Sequence, residues 1–228
     1  MHDQVKELVF EIMSKDKSGH GTDHVSRVYD LAIKFARAEH ADEKIVALAA
    51  LLHDVDDYKL VGKDNAEKLI NAKSIMKTAN VPINTQERVL DIIKNMGFSN
   101  YLKGIRPKTL EGKIVSDADM CDALGANGII RSVVYAVSDK GSGTIFDKNI
   151  APILEISSEE YNSGGTTHST DNAINHFFEK LLRIKNIMLT KSGAREAGAR
   201  HDFMIKFLHQ FFTEENAPQE WFDLLEKF

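Results

Sequence analysis

Two histidines and a group of aspartates stand where ordinary helical sequence would carry apolar or solvated residues. His53 and Asp54 follow directly on the apolar run Ile45-Val-Ala-Leu-Ala-Ala-Leu-Leu52, and Asp56 and Asp57 come next. An imidazole beside a carboxylate at the mouth of a buried helix is costly unless it is paired. A divalent cation would offset that cost, because neutral imidazole suits Mn, Fe, Co, Ni or Zn and carboxylate suits the harder ions of that set. On these residues alone the other reading stays open: a helix ending in solvated acids, with His53 as a C-terminal cap. Further candidates are His24 upstream and Asp117, Asp119 and Asp122 downstream.

The elements that must position these groups read as helices. Val5, Leu8, Val9, Ile12 and Met13 form an amphipathic stripe, broken at Ser18-Gly19. Thr22 or Asp23 can cap a second helix with an inner face of Val25, Val28, Leu31, Ala32 and Phe35. That puts His24 in its first turn and Arg27 one turn further along the same face. Asp42 caps the run that ends at His53, and that run is apolar all round, as in a buried helix. Residues 58–64 read as a polar loop, 65–79 and 85–96 as helices, and 97–108 as a loop. A helix from Thr109 has Leu110, Ile114, Val115, Ala118 and Cys121 on its apolar side. Its spacing puts Asp119 and Asp122 on one face and Asp117 on another. After Gly125 and Gly128 the helical pattern resumes through Val133, Val134 and Val137. Residues 141–168, rich in Gly and Ser, are the longest break, in keeping with either a substrate loop or a surface insertion. From Thr170 onward the pattern is helical again, through Ile174, Phe177, Phe178, Leu181, Leu182, Phe203, Phe207, Leu208 and Phe211, with Pro218 at a helix start. No alternating strand pattern stands out. The expected fold is all-α, a single domain over residues 1–228, since no linker separates two cores.

Composition narrows the function. The 228 residues are 43% hydrophobic and carry a net charge of -5 with no basic cluster, which speaks against a nucleic-acid surface. One cysteine, Cys121, excludes a disulfide framework. No apolar run reaches the length of a membrane span. A soluble cytoplasmic protein is expected.

The ordered motifs carry a resemblance. His20-Gly-Thr-Asp-His24-Val-Ser-Arg27, Ala49-Ala-Leu-Leu-His53-Asp54-Val-Asp-Asp57-Tyr-Lys59, Asp117-Ala-Asp119-Met-Cys-Asp122-Ala-Leu-Gly125, His176-Phe-Phe-Glu-Lys180-Leu-Leu182, and Thr190 followed by Arg200 resemble the HD superfamily of metal-dependent phosphohydrolases. Within it they are similar to a bacterial subgroup of YpgQ-type nucleoside triphosphate pyrophosphohydrolases. A lone His-Asp dipeptide would be weak, whereas five blocks in order span nearly the whole chain. The resemblance implies an HD helical bundle, with the metal-binding core at about 20–125 and C-terminal helices at about 169–228 packing on it.

It also implies roles. His24, His53, Asp54 and Asp119 match the ligands of the ion, with Asp117 as the reserve for Asp119. Two His and two Asp leave coordination positions open for water and substrate. One divalent ion is expected, Mn²⁺ or Mg²⁺ foremost, with Fe²⁺, Co²⁺, Ni²⁺ and Zn²⁺ as the other candidates. Residues 55–118 contain no further histidine, which argues against a dinuclear centre and against di-iron oxygenase chemistry. Asp54 and Asp57 are the catalytic carboxylates, Asp57 to orient or deprotonate the water. His20, Arg27, Lys59, Arg131 and Lys180 are the expected substrate contacts, with Lys180 also in the catalytic set, because an acidic chain needs local charge to hold phosphates. Against these stand a solvated or ion-paired face for Arg27, solvation for Lys59 and Arg131, and a buried bracing role for His176. His168, His201 and His209 read as surface residues and Cys121 as core. Met120-Cys121 replaces the Arg-Leu common in the subgroup, a departure that bears on substrate preference. The implied reaction is release of pyrophosphate from (deoxy)nucleoside triphosphates. The alternatives are a nucleoside monophosphate phosphatase and a non-catalytic metal and nucleotide sensor. The implied partners are a small-molecule nucleotide and at most a second copy of the chain, with neither a nucleic-acid polymer nor a membrane.

Overall fold

A computed structural model describes residues 2–14, 21–138, 141, 143–154 and 172–228, with the side chains of Lys59 and Lys63 outside the description. The fold is all-α, and no β-strand forms among the described residues beyond a lone bridge between Thr144 and Asn172. Two compact units arise. One comprises Met1–Asp119 with Leu189–Gly193, the other Met120–Met188 with Ala194–Phe228. Their residue ranges interleave, so no single cut in the sequence separates them.

The first unit is built around α3 (Glu43–Leu52). Asp42 starts it, its carboxylate accepting the Lys44 and Ile45 amides at 3.1 and 3.3 Å. Every residue from Ile45 to Leu52 is buried. At roughly 1.5–3 kcal/mol for each large aliphatic side chain taken out of water, this helix contributes substantially to the packing energy of the unit. Around it pack α1 (His2–Met13), α2 (Thr22–Glu39) and α7 (Ile83–Asn95). On α2 the buried stripe is His24, Val25, Val28, Leu31, Ala32, Phe35 and Ala36, so hydrophobic packing also turns His24 inward. Gly21 is the N-cap of α2 and gives no side-chain cap bond, and Thr22 is the first helical residue.

The expected helix over 65–79 is divided, and the expected polar loop before it contains α4 (Tyr58–Val61). α5 (Lys63–Lys68) stops at Leu69, whose φ of 51° is left-handed, and α6 (Ile70–Thr78) restarts at once. The cause is non-local. Asp56 accepts the amides of Asn71 and Ala72, which a continuous helix would bond internally. α8 (Phe98–Leu102) occupies part of the expected 97–108 loop. α9 (Leu110–Asp122) follows, with Ile114, Val115, Ala118 and Cys121 buried as expected but Leu110 39% exposed.

The second unit holds α10 (Gly125–Ala136), α11 (Ala173–Glu179), a 3₁₀ turn over Leu181–Ile187, most of α12 (Lys191–Glu214), and α13 (Gln219–Leu225). Its core is aromatic. Phe178 and Phe212 stack at 6.2 Å, and Trp221 meets Phe146 edge-on at 5.0 Å. Phe203, expected inside, is half exposed, as are Val134 and Val137. Pro218 is the N-cap of α13, one position before the first helical turn. Of the 141–168 break, the described front portion is tied down. Ile153 N–H donates to Glu179, Asn175 to the Ile150 carbonyl, and Trp221 Nε1 to the Lys148 carbonyl. Residues 155–168, including His168, lie outside the description.

Candidate metal centre

Three elements of the first unit bring the donors together. His24 comes from the first turn of α2, His53 is the C-cap of α3 with Asp54 in the turn that follows, and Asp119 lies on α9. The Nε2 atoms of the two histidines are 3.1 Å apart. Asp54 Oδ2 lies 3.3 Å from His24 Nε2 and 3.5 Å from His53 Nε2. Asp119 Oδ1 lies 3.6 and 3.8 Å from the same two nitrogens. Ligands held at about 2.1 Å by one octahedral ion stand roughly 3.0 Å apart on adjacent positions, and somewhat further in a tetrahedral arrangement. The observed separations suit one ion among His24, His53 and Asp119, with the Asp54 oxygen close to the same two nitrogens.

The donor chemistry fits as well. The His53 Nδ1–H donates to the Ala50 carbonyl at 2.8 Å, so Nε2 carries the lone pair and faces the cluster. This is the orienting bond that metal-binding imidazoles use. Both imidazoles are 2% exposed, whereas Asp54 and Asp119 are 16% and 25% exposed. The nitrogen side is therefore set in the core and the carboxylate side reaches solvent, the arrangement required if substrate is to approach. His24, His53 and Asp119 form a group able to hold an ion, and the Asp54 oxygen lies among them.

The other acids of the α9 block go elsewhere. Both Asp117 oxygens accept hydrogen bonds, from the Leu189 amide at 2.9 and 3.1 Å, the Thr190 amide at 2.8 Å and the Thr190 hydroxyl at 2.7 Å. Burial raises the Asp117 carboxyl to about 6, the nearby Glu39 charge adding to the rise and the Leu189 and Thr190 hydrogen bonds opposing it. Asp122 is fully buried in the second unit, where it pairs with Arg131 at 2.8 Å. Asp119 and Asp122, expected on one face, thus take different partners.

Of the expected substrate contacts, Arg27 lies half-buried on α2 one turn from His24. Asp57 follows the ligand turn, its N–H donating to the Asp54 carbonyl at 3.0 Å. His20 and the Lys59 side chain fall outside the description. Arg131 and Lys180 belong to the second unit, Arg131 paired with Asp122 and Lys180 at the C-cap of α11. His201, expected at the surface, is 1% exposed. Its charged form loses hydration there, and Lys185 repels it, so its pKa is lowered. Residue-by-residue reading gave no role to Asp56, Asn71, Glu39 or Thr190. The available signal was a second acid two residues from each ligand carboxylate.

Comparison with known proteins identifies the family. The HD domain matches residues 21–124. The Bacillus subtilis protein YpgQ is 35% identical over 218 residues, covering 95% of this chain and 93% of YpgQ. A structure of YpgQ in complex with ADP superimposes with a TM-score of 0.67 at 30% identity, covering 94% of this chain and 97% of that one. A Lactobacillus plantarum protein reaches a TM-score of 0.79 at 32% identity, and an HD-superfamily hydrolase from Bacillus thuringiensis 0.72 at 32%; each covers 95% of this chain and 97% of its own. With its histidines and aspartates gathered as an ion would hold them, the chain belongs to the HD superfamily of metal-dependent phosphohydrolases.

Proposed function

We propose that the protein hydrolyses nucleotide phosphates, with pyrophosphate release from nucleoside or deoxynucleoside triphosphates as its reaction. The observation that carries this reading is the convergence of His24, His53, Asp54 and Asp119 on one point with the carboxylate side open to solvent. The ADP bound to YpgQ supports a nucleotide bearing more than one phosphate. The reading takes the whole chain as one functional HD domain.

His24, His53, Asp54 and Asp119 would hold one divalent ion. Two imidazoles beside two carboxylates favour Mn²⁺ over Mg²⁺, which prefers oxygen donors. When bound, the ion supplies Lewis acidity at a phosphoryl oxygen and acidifies the attacking water. Asp57, just beyond the ligand turn, accepts the proton from that water. The water oxygen bonds to the α-phosphorus, the bond from that phosphorus to the bridging oxygen breaks, and pyrophosphate leaves. Arg27, one turn along α2 from His24, offsets phosphate charge.

The test is product identification by phosphorus NMR on a panel of nucleotides, with protein stripped by chelator and reloaded with Mn²⁺, Mg²⁺, Co²⁺ or Ni²⁺. Pyrophosphate plus a monophosphate establishes the proposed reaction. Orthophosphate from monophosphates assigns the protein to phosphomonoesterases instead.

A further inference from the structure

Each ligand carboxylate has a buried acid two residues away, and neither of these acids points at the ligand cluster. Asp56 is 6% exposed and Asp117 1%. Asp56 accepts the Asn71 amide at 2.9 Å and the Ala72 amide at 2.8 Å. The Asn71 side chain returns a bond to the Val55 carbonyl at 2.8 Å. The ligand turn is thus clasped to the start of α6 from both sides. It needs the clasp, because residues 53–56 lie outside any helix and the Val55 amide reaches the Leu52 carbonyl only at 3.4 Å. The left-handed kink at Leu69 restarts the helix and turns the N–H groups of its first turn toward Asp56.

Asp117 plays a matching part on α9. It takes the Leu189 and Thr190 amides and the Thr190 hydroxyl, and Glu39 of α2 takes the Ser192 amide at 2.7 Å. The segment Leu189–Gly193, the only part of the first unit outside residues 1–119, is held there by these two acids. α2, which bears His24, and α9, which bears Asp119, are thereby pinned to one short segment.

We infer that Asp56 and Asp117 are positioning residues. Through backbone amides of other segments they fix the directions in which Asp54 and Asp119 present their oxygens, so that metal affinity depends on acids that do not touch the ion. The inference rests on the metal reading of the cluster.

The test is calorimetric titration of Mn²⁺ into Asp56→Asn and Asp117→Asn, with Asp42→Asn as the matched control. Asp42 is also a carboxylate capping a helix start, but it sits at the far end of α3 from His53. All three variants are expected to lose thermal stability. Asp56→Asn and Asp117→Asn are expected to bind Mn²⁺ about 10- to 100-fold more weakly, and Asp42→Asn as wild type does. If either variant does not fold, Asn71→Ala and Thr190→Val decide, since the first removes the side-chain bond to the Val55 carbonyl and the second the hydroxyl that donates to Asp117 and accepts the Gly193 amide, each leaving the Asp56 or Asp117 carboxylate in place; a several-fold loss of Mn²⁺ affinity is expected. Affinities within twofold of the Asp42→Asn value would overturn the inference while leaving the metal site intact. Failure of the wild-type protein to bind Mn²⁺ would instead overturn the metal reading on which it stands.

Discussion

His24 and His53 face each other through their Nε2 atoms at 3.1 Å although 29 residues separate them in the chain. Hydrophobic packing imposes this meeting. His24 lies on the buried stripe of α2, His53 follows the buried Ile45–Leu52 run of α3, and the Ala50 carbonyl fixes the His53 tautomer. Two buried imidazole nitrogens this close, with two carboxylate oxygens beside them, make a donor set that a divalent cation would suit.

Asp119→Ala should abolish stoichiometric binding of Mn²⁺, a larger loss than the 10- to 100-fold typical of residues that merely support ligands. Asp122→Ala, three residues on, should keep the ion. It should instead lower stability by about 2–3 kcal/mol, because it removes a fully buried carboxylate and its 2.8 Å pair with Arg131, whose partial exposure reduces the full cost of a broken buried pair. Metal analysis and urea unfolding of the two variants separate these outcomes.

Asp57→Asn should bind the ion as wild type does and leave KM little changed, while kcat falls by about 10²- to 10⁴-fold, the range for loss of a general base. Loss of bound metal in this variant would move Asp57 into the ligand set.

Gly193→Ala should be destabilising out of proportion to one methyl group. A Cβ at Gly193 would overlap the Asp117 carboxylate, and its amide donates to the Thr190 hydroxyl at 3.0 Å. About 1–3 kcal/mol is expected for such overpacking. Gly198→Ala, with open space around its Cβ position, is the comparison and should be neutral or stabilising.

The buried histidine of the second unit should make stability depend on pH. His201 has a lowered pKa in the fold, so the unfolded chain binds its proton more readily, and the contribution of His201 is present above 6.5 and lost as pH falls through the folded value. Asp117 acts in the opposite sense: with its carboxyl raised from 3.8 to about 6, the stability it adds is present below 3.8 and lost as pH rises through about 6. His201→Gln should therefore lose less thermal stability than wild type between pH 7 and pH 5. Equal slopes in the two proteins would contradict the assignment.

The gathering of the two histidines was implied by the resemblance, whereas the all-α class, the buried α3 and the Asp42 cap were legible because each rests on local pattern. So was the pairing of His53 with Asp54 at a helix end. The break at Leu69 was not legible, because Asn65 to Ala79 reads as continuous helix and only the distant Asp56 carboxylate interrupts it. Helical spacing set Asp117 apart from Asp119, but the separation of Asp119 from Asp122 was beyond it for the same reason. Their partners are Thr190, the two histidines and Arg131, none nearby in sequence except Arg131. His201 read as a surface residue because its neighbours Arg200 and Asp202 are charged, yet α12 turns its ring inward.

The most direct test of the account is a stepwise titration of chelator-stripped protein with Mn²⁺, in which bound ion and pyrophosphate release from a deoxynucleoside triphosphate are followed together. The account predicts that release rises in step with occupancy and saturates at one ion per chain, and that the His53→Ala/Asp54→Ala protein shows neither binding nor release. Full occupancy without any phosphorus product across the nucleotide panel, or release undiminished after stripping, would contradict it.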